Sequence, residues 1–194
     1  MRQKIVVIGG GGHAKVVMSL INKLTFFEIV GYTDIQNKGR ILSYDYLGND
    51  TDFLNVSNDI NYAAVGIGEN LDQSMKKNII EKYKRNGINF PTLISPHAII
   101  NEDVEFGEGT LILDGVIINP STRIGSFVTV YPNCVIEHDT IIEDNVYLAP
   151  SVNMCGGVII KANSKIGNGV TIKDYITIKP NSLIESGTII KNDF

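Results

Sequence analysis

The chain has 194 residues and a formal net charge of −4, with its charged side chains dispersed along the sequence. This length allows one or two domains with a substantial core, and no basic face for nucleic acid or an anionic membrane stands out. The two cysteines, Cys134 and Cys155, predict neither a disulfide framework nor a zinc site. No apolar stretch reaches the length of a membrane span, and the aliphatic run at residues 5–8 is too short for a signal-peptide core. A soluble cytoplasmic protein is therefore expected.

A glycine-rich loop lies near the start of the chain. Residues 4–8 are predicted as a buried strand and residues 14–24 as a helix that opens from this loop. Gly9, Gly11 and Ala14 fit the G-x-G-x-x-G/A fingerprint of a dinucleotide-binding turn. The next predicted strand, residues 28–33, ends at Asp34, close to where such folds place a ribose contact.

The predicted order of the first half continues with a strand at 61–68, a helix at 71–86 and an extended segment at 90–95. This β-α-β-β-α-β order indicates a parallel Rossmann-like domain over residues 1–93. A dinucleotide needs two mononucleotide-binding halves, and there is room for roughly one, so the loop is expected to hold one nucleotide with its phosphates at the helix N-terminus. The alternative is a tight turn without a ligand, but His13, beside four glycines, favours a ligand.

The second half has a repeat of six residues. Large apolar side chains recur at every sixth position from Ile100, through Phe106, Ile112, Ile118, Ile124, Val130, Ile136, Ile142, Leu148, Met154, Ile160, Ile166, Ile172, Ile178 and Ile184 to Ile190. Small or β-branched residues precede most of them by two positions, and turn-forming residues follow. Since alternate residues of a strand face the same way, each hexapeptide predicts a short strand and a turn, and three consecutive hexapeptides predict one coil. Residues 94–194 are therefore predicted to form a parallel β-helix.

Outward positions one coil apart should lie above one another on this β-helix. Ile99, Ile117 and Val135 form one outward aliphatic column, and Ile141 and Ile159 form part of the next. Apolar columns exposed on a small prism favour burial against a partner chain.

Taken together, the two halves resemble the bacterial sugar O/N-acyltransferases. The resemblance covers nearly the whole chain and depends on five segments in this order: IGGGGHAKVV, GYTD, VGIGEN, ISPHAII and VIEHDTII. The family includes the sialic acid O-acetyltransferase type and enzymes that N-acetylate nucleotide-linked 4-amino-4,6-dideoxy sugars. Membership implies a left-handed β-helix and a homotrimer. It also implies acetyl-CoA as the donor and a nucleotide sugar as the acceptor, with uridine as the expected base.

The resemblance also implies roles for particular residues. His138 would be the catalytic base, Asp139 would orient it, and the Gly156 amide would bind the thioester oxygen. Tyr131 departs from the pattern, because family members often carry Asn seven residues before the catalytic histidine. The nucleotide sugar would contact the glycine-rich loop through Gly9, Gly11, Gly12 and His13. It would also contact the side chains of Asp34 and Asn70.

The residues themselves support acyl transfer. Such a reaction needs a base for the nucleophile and a hydrogen-bond donor for the carbonyl oxygen, and His138 follows the inward Ile136 by two positions, so it should project from a corner of the prism. Either acidic neighbour, Glu137 or Asp139, could raise its basicity. The alternative is that His138 is an ordinary polar turn residue.

The charge distribution suggests where a polyanionic donor would bind. Residues 95–154 carry nine acidic side chains and one arginine, whereas residues 155–194 carry five lysines and three acidic side chains. Acetyl-CoA is therefore expected along the C-terminal coils, near Lys173 and Lys191, which are one coil apart. The same lysines could instead be ordinary solvated surface.

Three other functions are compatible with parts of the sequence. A nicotinamide-dependent oxidoreductase is disfavoured by the small first domain. A metal-dependent hydratase on a β-helix needs about three histidine ligands, and this half has only His97 and His138, so no metal is expected. A non-catalytic scaffold that binds nucleotide sugars remains open, as does O-acetylation in place of N-acetylation.

Overall fold

The computed structural model describes residues 2–56, 59–68 and 73–194. The chain forms two compact units, residues 1–91 and 92–194. This division lies slightly before the predicted boundary between 93 and 94. In the described part of the chain, no helix has both the length and the apolar character needed to cross a membrane.

The first unit contains a three-stranded parallel sheet with the order β2-β1-β3. Its strands are β1 (Gln3–Ile8), β2 (Phe27–Thr33) and β3 (Tyr62–Val65). The central strand β1 has four consecutive buried residues at its end, 5–8, as expected for a parallel strand that is covered on both faces. The glycine loop therefore starts at the carboxyl edge of the middle strand.

Within the described residues of this unit, three helices accompany the sheet: α1 (Gly12–Lys23), α2 (Asp50–Val56) and α3 (Gln73–Arg85). Helix α1 buries one face, formed by Ala14, Val17, Met18, Leu20 and Ile21. Helix α2 was not predicted from the sequence. The Asn49 side chain accepts hydrogen bonds from the amides of Thr51 and Asp52 at its start, at 2.9 and 3.1 Å, which is an N-cap.

The predicted strand at 90–95 does not join the first sheet. Only Leu93–Ile94 is a strand, β4, and it pairs with Leu111–Ile112 of the second unit. The Leu93 amide donates to the Thr110 carbonyl at 2.9 Å. This segment is therefore the first strand of the β-helix.

The second unit is a parallel β-helix with three faces, each a sheet of short strands. Face 1 contains β4, β7 (Leu111–Ile112), β10 (Thr129–Val130), β13 (Tyr147–Leu148), β16 (Lys165–Ile166) and β19 (Leu183–Ile184). Face 2 contains β5 (Ile99–Ile100), β8 (Ile117–Ile118), β11 (Val135–Ile136), β14 (Asn153–Met154), β17 (Thr171–Ile172) and β20 (Ile189–Ile190). Face 3 contains β6 (Glu105–Phe106), β9 (Arg123–Ile124), β12 (Ile141–Ile142), β15 (Ile159–Ile160) and β18 (Thr177–Ile178).

Strands that are one coil apart pair in register, for example Val135 with Asn153 and Ile141 with Ile159. The sixth-position side chains fill the interior from Ile112 to Ile190. Burying each of them contributes about 1.5–3 kcal/mol relative to exposure, and that burial requires neighbouring coils to stack. The predicted fold class, an α/β N-terminal domain followed by a hexapeptide-repeat parallel β-helix, is confirmed.

The corners of the β-helix use the left-handed backbone conformation. Where the corner residue is not glycine, it is mostly Asp, Ser or Asn, with φ between 55° and 64°. Asn and Asp tolerate this region better than other side chains. Asp139 is one of them, with φ at 57°, so the predicted catalytic pair lies at a corner.

Candidate functional site

His138 and Asp139 lie on the corner between face 2 and face 3. The imidazole Nδ1 of His138 is 2.7 Å from Asp139 Oδ2, and both side chains are more than half exposed. Adjacent coils hold the backbone here, because the Gly157 amide donates to the His138 carbonyl at 2.9 Å and the Asp139 amide donates to the Pro120 carbonyl at 3.1 Å. The backbone of this corner is therefore held by hydrogen bonds to neighbouring coils, and the imidazole of His138 is exposed on it.

The hydrogen bond to Asp139 raises the pKa of His138 above its ordinary value, and the charges of Glu137 and Asp174 add to this effect. A carboxylate can only accept, so Nδ1 carries the proton in this bond and Nε2 is the atom left to accept another. The prediction that an acidic neighbour supports His138 thus matches the geometry, with Asp139 as the direct partner.

Gly156 lies one coil beyond His138, directly beneath its ring. A Cβ atom added at Gly156 would be 2.7 Å from Cε1 and 2.8 Å from Nε2 of His138. Gly156 is buried, and within the described residues its amide donates no hydrogen bond. The structure thus packs Gly156, whose amide donates no hydrogen bond in the described residues, against the ring edge that carries Nε2.

The two lysines predicted for the donor lie on the coils that follow. Lys173 and Lys191 are exposed and flank paired strands, since Ile172 pairs with Ile190. Lys161 differs from them, because its ammonium contacts Glu143 Oε1 at 2.7 Å. Lys173 and Lys191 are therefore the basic column nearest the Gly156 corner.

In the first unit, the backbone conformation and the packing within the protein require glycine at two positions of the loop. Gly9 has φ at 102°, and its amide donates to the Thr33 carbonyl at 2.7 Å. A Cβ at Gly10 would lie 2.7 Å from the Tyr32 ring. The protein's own packing and backbone therefore account for glycine at both positions.

Gly11 and Gly12 are different, because a Cβ at either position would meet no atom within 4 Å. Gly11 has an ordinary φ of −89° and precedes helix α1, whose first turn has no side-chain cap and no acidic residue. The amides of such a helix end are available to an anion. Packing within the protein therefore does not explain these two glycines.

His13 is half-buried at the start of helix α1. Burial and the charge of Lys76 lower the pKa of His13 to about 4, so the ring is neutral at physiological pH. Lys76 itself is buried on helix α3. A neutral histidine next to a buried cation lies beside the glycine loop.

Asp34 connects the loop to the end of β2, a role that the sequence did not reveal. One carboxylate oxygen accepts from the Gly10 amide at 2.8 Å and the other from the Gln36 amide at 3.0 Å. The predicted nucleotide contact of Asp34 stays a prediction. Asn70 lies outside the described residues.

Sequence reasoning also missed a residue on the corner that carries His138. Asp174 is two coils from His138 in the same column and contributes to its pKa, and this spacing could have revealed it. Within residues 2–56, 59–68 and 73–194, no group of three or more His, Cys, Asp or Glu side chains is arranged to hold a metal ion.

Both units match known protein families. Residues 4–83 match the family described as PglD N-terminal domain. Residues 121–156 and 139–174 match the family described as bacterial transferase hexapeptide (six repeats). The matched segments of two curated relatives span 14% and 51% of those relatives' lengths, so the chain covers about half or less of each.

Three similar proteins carry informative names. UDP-N-acetylbacillosamine N-acetyltransferase from Bacillus subtilis is 29% identical over 57% of this chain and 51% of the relative. The acetyltransferase domain of PglB from Neisseria gonorrhoeae, solved with acetyl coenzyme A, is 26% identical with a TM-score of 0.91, over 100% of this chain and 93% of that domain. A single-residue mutant of perosamine N-acetyltransferase from Caulobacter crescentus, solved with CoA and GDP-perosamine, has the same fold, with 24% identity and a TM-score of 0.92 over 98% of this chain and 90% of that one. These matches confirm the predicted resemblance to bacterial sugar acetyltransferases.

Proposed function

Because the chain combines a PglD N-terminal domain with bacterial transferase hexapeptide repeats, we propose that it transfers an acetyl group from acetyl-CoA to the amine of a nucleotide-linked sugar. The observation that carries this proposal is the His138–Asp139 pair, 2.7 Å apart, above the uncommitted amide of Gly156. The reaction would take place in the cytoplasm, where acetyl-CoA is available, as one step of bacterial surface-glycan synthesis.

The chemistry follows from the two groups at the corner. An amine with an ordinary pKa is mostly protonated at neutral pH, and only its free base attacks a thioester. His138 Nε2 takes a proton from the amine as its nitrogen bonds to the thioester carbon, and the Gly156 amide stabilises the oxyanion. The carbon–sulfur bond then breaks, and the proton passes from His138 to the sulfur of coenzyme A.

The nucleotide part of the acceptor belongs at the glycine loop. The open space at Gly11 and Gly12, with an uncapped helix end behind it, suits a phosphate that approaches the backbone closely. Gly9, His13, Asp34 and Asn70 complete the proposed nucleotide-sugar contacts. Uridine is the proposed base, in line with the Bacillus relative's name; the Caulobacter protein of the same fold was solved with a GDP sugar.

The donor belongs on the basic column of the C-terminal coils. Replacing Lys173 and Lys191 with Gln should raise the Michaelis constant for acetyl-CoA several-fold and leave that of the acceptor unchanged. Lys165 provides a matched control, since it lies on face 1 rather than in this column. If Lys165→Gln has the same effect, or the double variant has none, the donor does not follow this column.

A homotrimer is part of the proposal. Ile99 is 57% exposed and stacks with the half-buried Ile117 and Val135 on face 2, so one apolar column faces outward in the single chain. Light scattering should give three times the mass of the chain, and Ile117→Glu should reduce it. A monomer at micromolar concentration would contradict the trimer.

The decisive experiment is a thiol-release assay with acetyl-CoA and a panel of UDP- and GDP-linked amino sugars, together with hydroxyl sugars that test O-acetylation. His138→Ala should reduce turnover by about 10²–10⁴-fold and still bind both substrates. It should fold normally, because the side chain is exposed at a corner. Absence of thiol release with every acceptor would favour a non-catalytic scaffold, whereas near-normal turnover of the His138→Ala variant would overturn the role of His138 as the base.

A further inference from the structure

Three polar side chains of the first unit form a hydrogen-bonded cluster that the site described above does not use. They are Thr33 at the end of β2, Asp50 at the start of helix α2 and Tyr83 on helix α3, and together they are called the Thr33–Asp50–Tyr83 cluster below. Thr33 and Tyr83 are fully buried, and Asp50 is half-buried. The cluster therefore joins three elements that are far apart in the sequence.

The three side chains of the cluster lie within hydrogen-bond distance of one another. The hydroxyls of Thr33 and Tyr83 donate to Asp50 Oδ1 at 2.8 and 2.7 Å, and the two hydroxyl oxygens are 2.9 Å apart. Burial, with the charge of Asp50 as the second cause, raises the pKa of the Tyr83 phenol, so this hydroxyl keeps its proton and remains a donor. The Tyr83 ring also stacks on Phe53 of helix α2, with the ring centroids 6.2 Å apart. The cluster thus holds the end of β2 against helices α2 and α3.

The same end of β2 holds the start of the glycine loop. The Thr33 carbonyl accepts from the Gly9 amide at 2.7 Å, and the carboxylate of the next residue, Asp34, accepts from the Gly10 amide at 2.8 Å. The first two amides of the loop are therefore bound to residues 33 and 34. The amides proposed to bind a phosphate follow directly in the chain, so their position depends on where this strand end lies.

We propose that Asp50 and Tyr83 are positioning residues for the nucleotide, because they hold the end of β2, and through it the amides of the glycine loop, in the arrangement that a diphosphate requires. This inference rests on the proposed function. Both side chains act through Thr33 and not by contact with the nucleotide. A binding loop that is already ordered avoids the cost of ordering it when the ligand binds. Loss of the cluster should therefore weaken nucleotide binding and leave acetyl-CoA, whose proposed site is in the second unit, unaffected.

Two substitutions disrupt the cluster in different ways. Tyr83→Phe deletes one hydroxyl and keeps the ring that packs on Phe53, whereas Asp50→Ala deletes the acceptor. Asp50→Asn keeps a side-chain oxygen that can accept from the same hydroxyls, so it should restore most of the affinity that Asp50→Ala loses. Ile80→Val is the control for stability alone, because Ile80 is buried on helix α3 but lies outside the cluster.

The negative charge of Asp50 makes the direction of the change informative. A carboxylate near the loop repels an anionic ligand, so the loss of this charge in Asp50→Ala would by itself strengthen the binding of a nucleoside diphosphate. Positioning predicts the opposite result, because the ordered arrangement of the loop is lost. The two effects therefore differ in sign.

Binding of UDP, GDP and acetyl-CoA to the whole chain is measured by calorimetry, at a temperature where thermal unfolding shows each variant to be folded. We expect Tyr83→Phe and Asp50→Ala to weaken the nucleotide that the wild type binds by about three- to tenfold, the equivalent of one hydrogen bond, and to leave acetyl-CoA unchanged. Ile80→Val should lower the midpoint of thermal unfolding and keep the wild-type affinity for all three ligands. If Asp50→Ala does not fold, Tyr83→Phe decides the result.

The inference is overturned if Tyr83→Phe binds the nucleotide with wild-type affinity, or if Ile80→Val weakens it equally. If the wild-type chain binds neither UDP nor GDP, the nucleotide site and this inference both fail, whatever the thiol-release assay shows. If the cluster variants weaken the nucleotide but no acceptor gives thiol release, the positioning role stands and the acetyl transfer fails. If thiol is released and the cluster variants keep the wild-type Michaelis constant for the acceptor, the transfer stands and the positioning role is wrong.

Discussion

Replacing Gly156 with Ala should disable catalysis without unfolding the protein. The new Cβ would lie 2.7 Å from His138 Cε1 and 2.8 Å from Nε2, whereas nonbonded carbon atoms are most stable at about 3.5–4.0 Å. The imidazole must therefore move by about 1 Å to restore that separation. A displacement of that size in a reacting group costs about 10²-fold in rate, so turnover should fall by about that factor.

The fold should tolerate this substitution. The backbone of Gly156 is outside the left-handed region, and the atoms that the Cβ would meet belong to the ring of one exposed side chain. Alanine also restricts the unfolded chain, which contributes about 0.4–1 kcal/mol of stability where the backbone is compatible. The midpoint of thermal unfolding should therefore be unchanged or slightly higher.

A double-mutant cycle identifies the cause of the lost activity. In a His138→Ala background no ring remains to be displaced, so adding Gly156→Ala should cost little further turnover. Thiol release in the four proteins, with acetyl-CoA and a competent acceptor, gives the result. Turnover of Gly156→Ala within twofold of the wild type would refute the close packing of Gly156 against the ring. An equal loss in both backgrounds would instead indicate that the methyl group blocks the thioester.

Three further predictions concern stability and pH. Thr140 is fully buried and its hydroxyl has no hydrogen-bond partner in the described part of the chain, so Thr140→Val should raise the free energy of unfolding in urea by about 1 kcal/mol. Thr122→Val, one coil earlier, should lower it by a similar amount, because the Thr122 hydroxyl bonds to the Asn119 carbonyl at 2.8 Å. The pKa of His13 is lowered from 6.5 to about 4 in the folded chain, so between these pH values the unfolded chain binds a proton that the folded chain does not, and the free energy of unfolding should fall as the pH drops through this window. His13→Gln should remove this part of the pH dependence of stability. An unchanged pH dependence would contradict the lowered pKa. Because Asp139 is the main cause of the raised pKa of His138, Asp139→Asn should move the acid limb of kcat/KM to lower pH, and a limb that stays in place would point to a different titrating group.

The β-helix could be predicted because its sequence signal and its packing have the same period. Every coil repeats the same inward positions, so the column from Ile112 to Ile190 follows from spacing alone, and so does the placement of Gly156 one coil beyond His138. The prediction needed no knowledge of irregular distant contacts, since each strand pairs with the strand one coil away.

The first unit was harder to predict, because its contacts are irregular. The bond from the Gly10 amide to Asp34 joins residues 24 positions apart, and no periodicity marks such a pair. The short helix α2 has little apolar pattern, with Phe53 as its buried residue, and only the cap at Asn49 could have revealed it.

The register of three hexapeptides per coil has a consequence for how such a chain can change in length. Adding or deleting one hexapeptide between His138 and Gly156 would rotate everything beyond it by one face, which would move the Gly156 amide and the Lys173 column to another corner. A whole coil added beyond Lys191 would lengthen the prism and leave the corner intact. Viable length variation is therefore expected at the ends of the stack, because an insertion between His138 and Gly156, even one that folds well, would move the Gly156 amide away from the His138 ring.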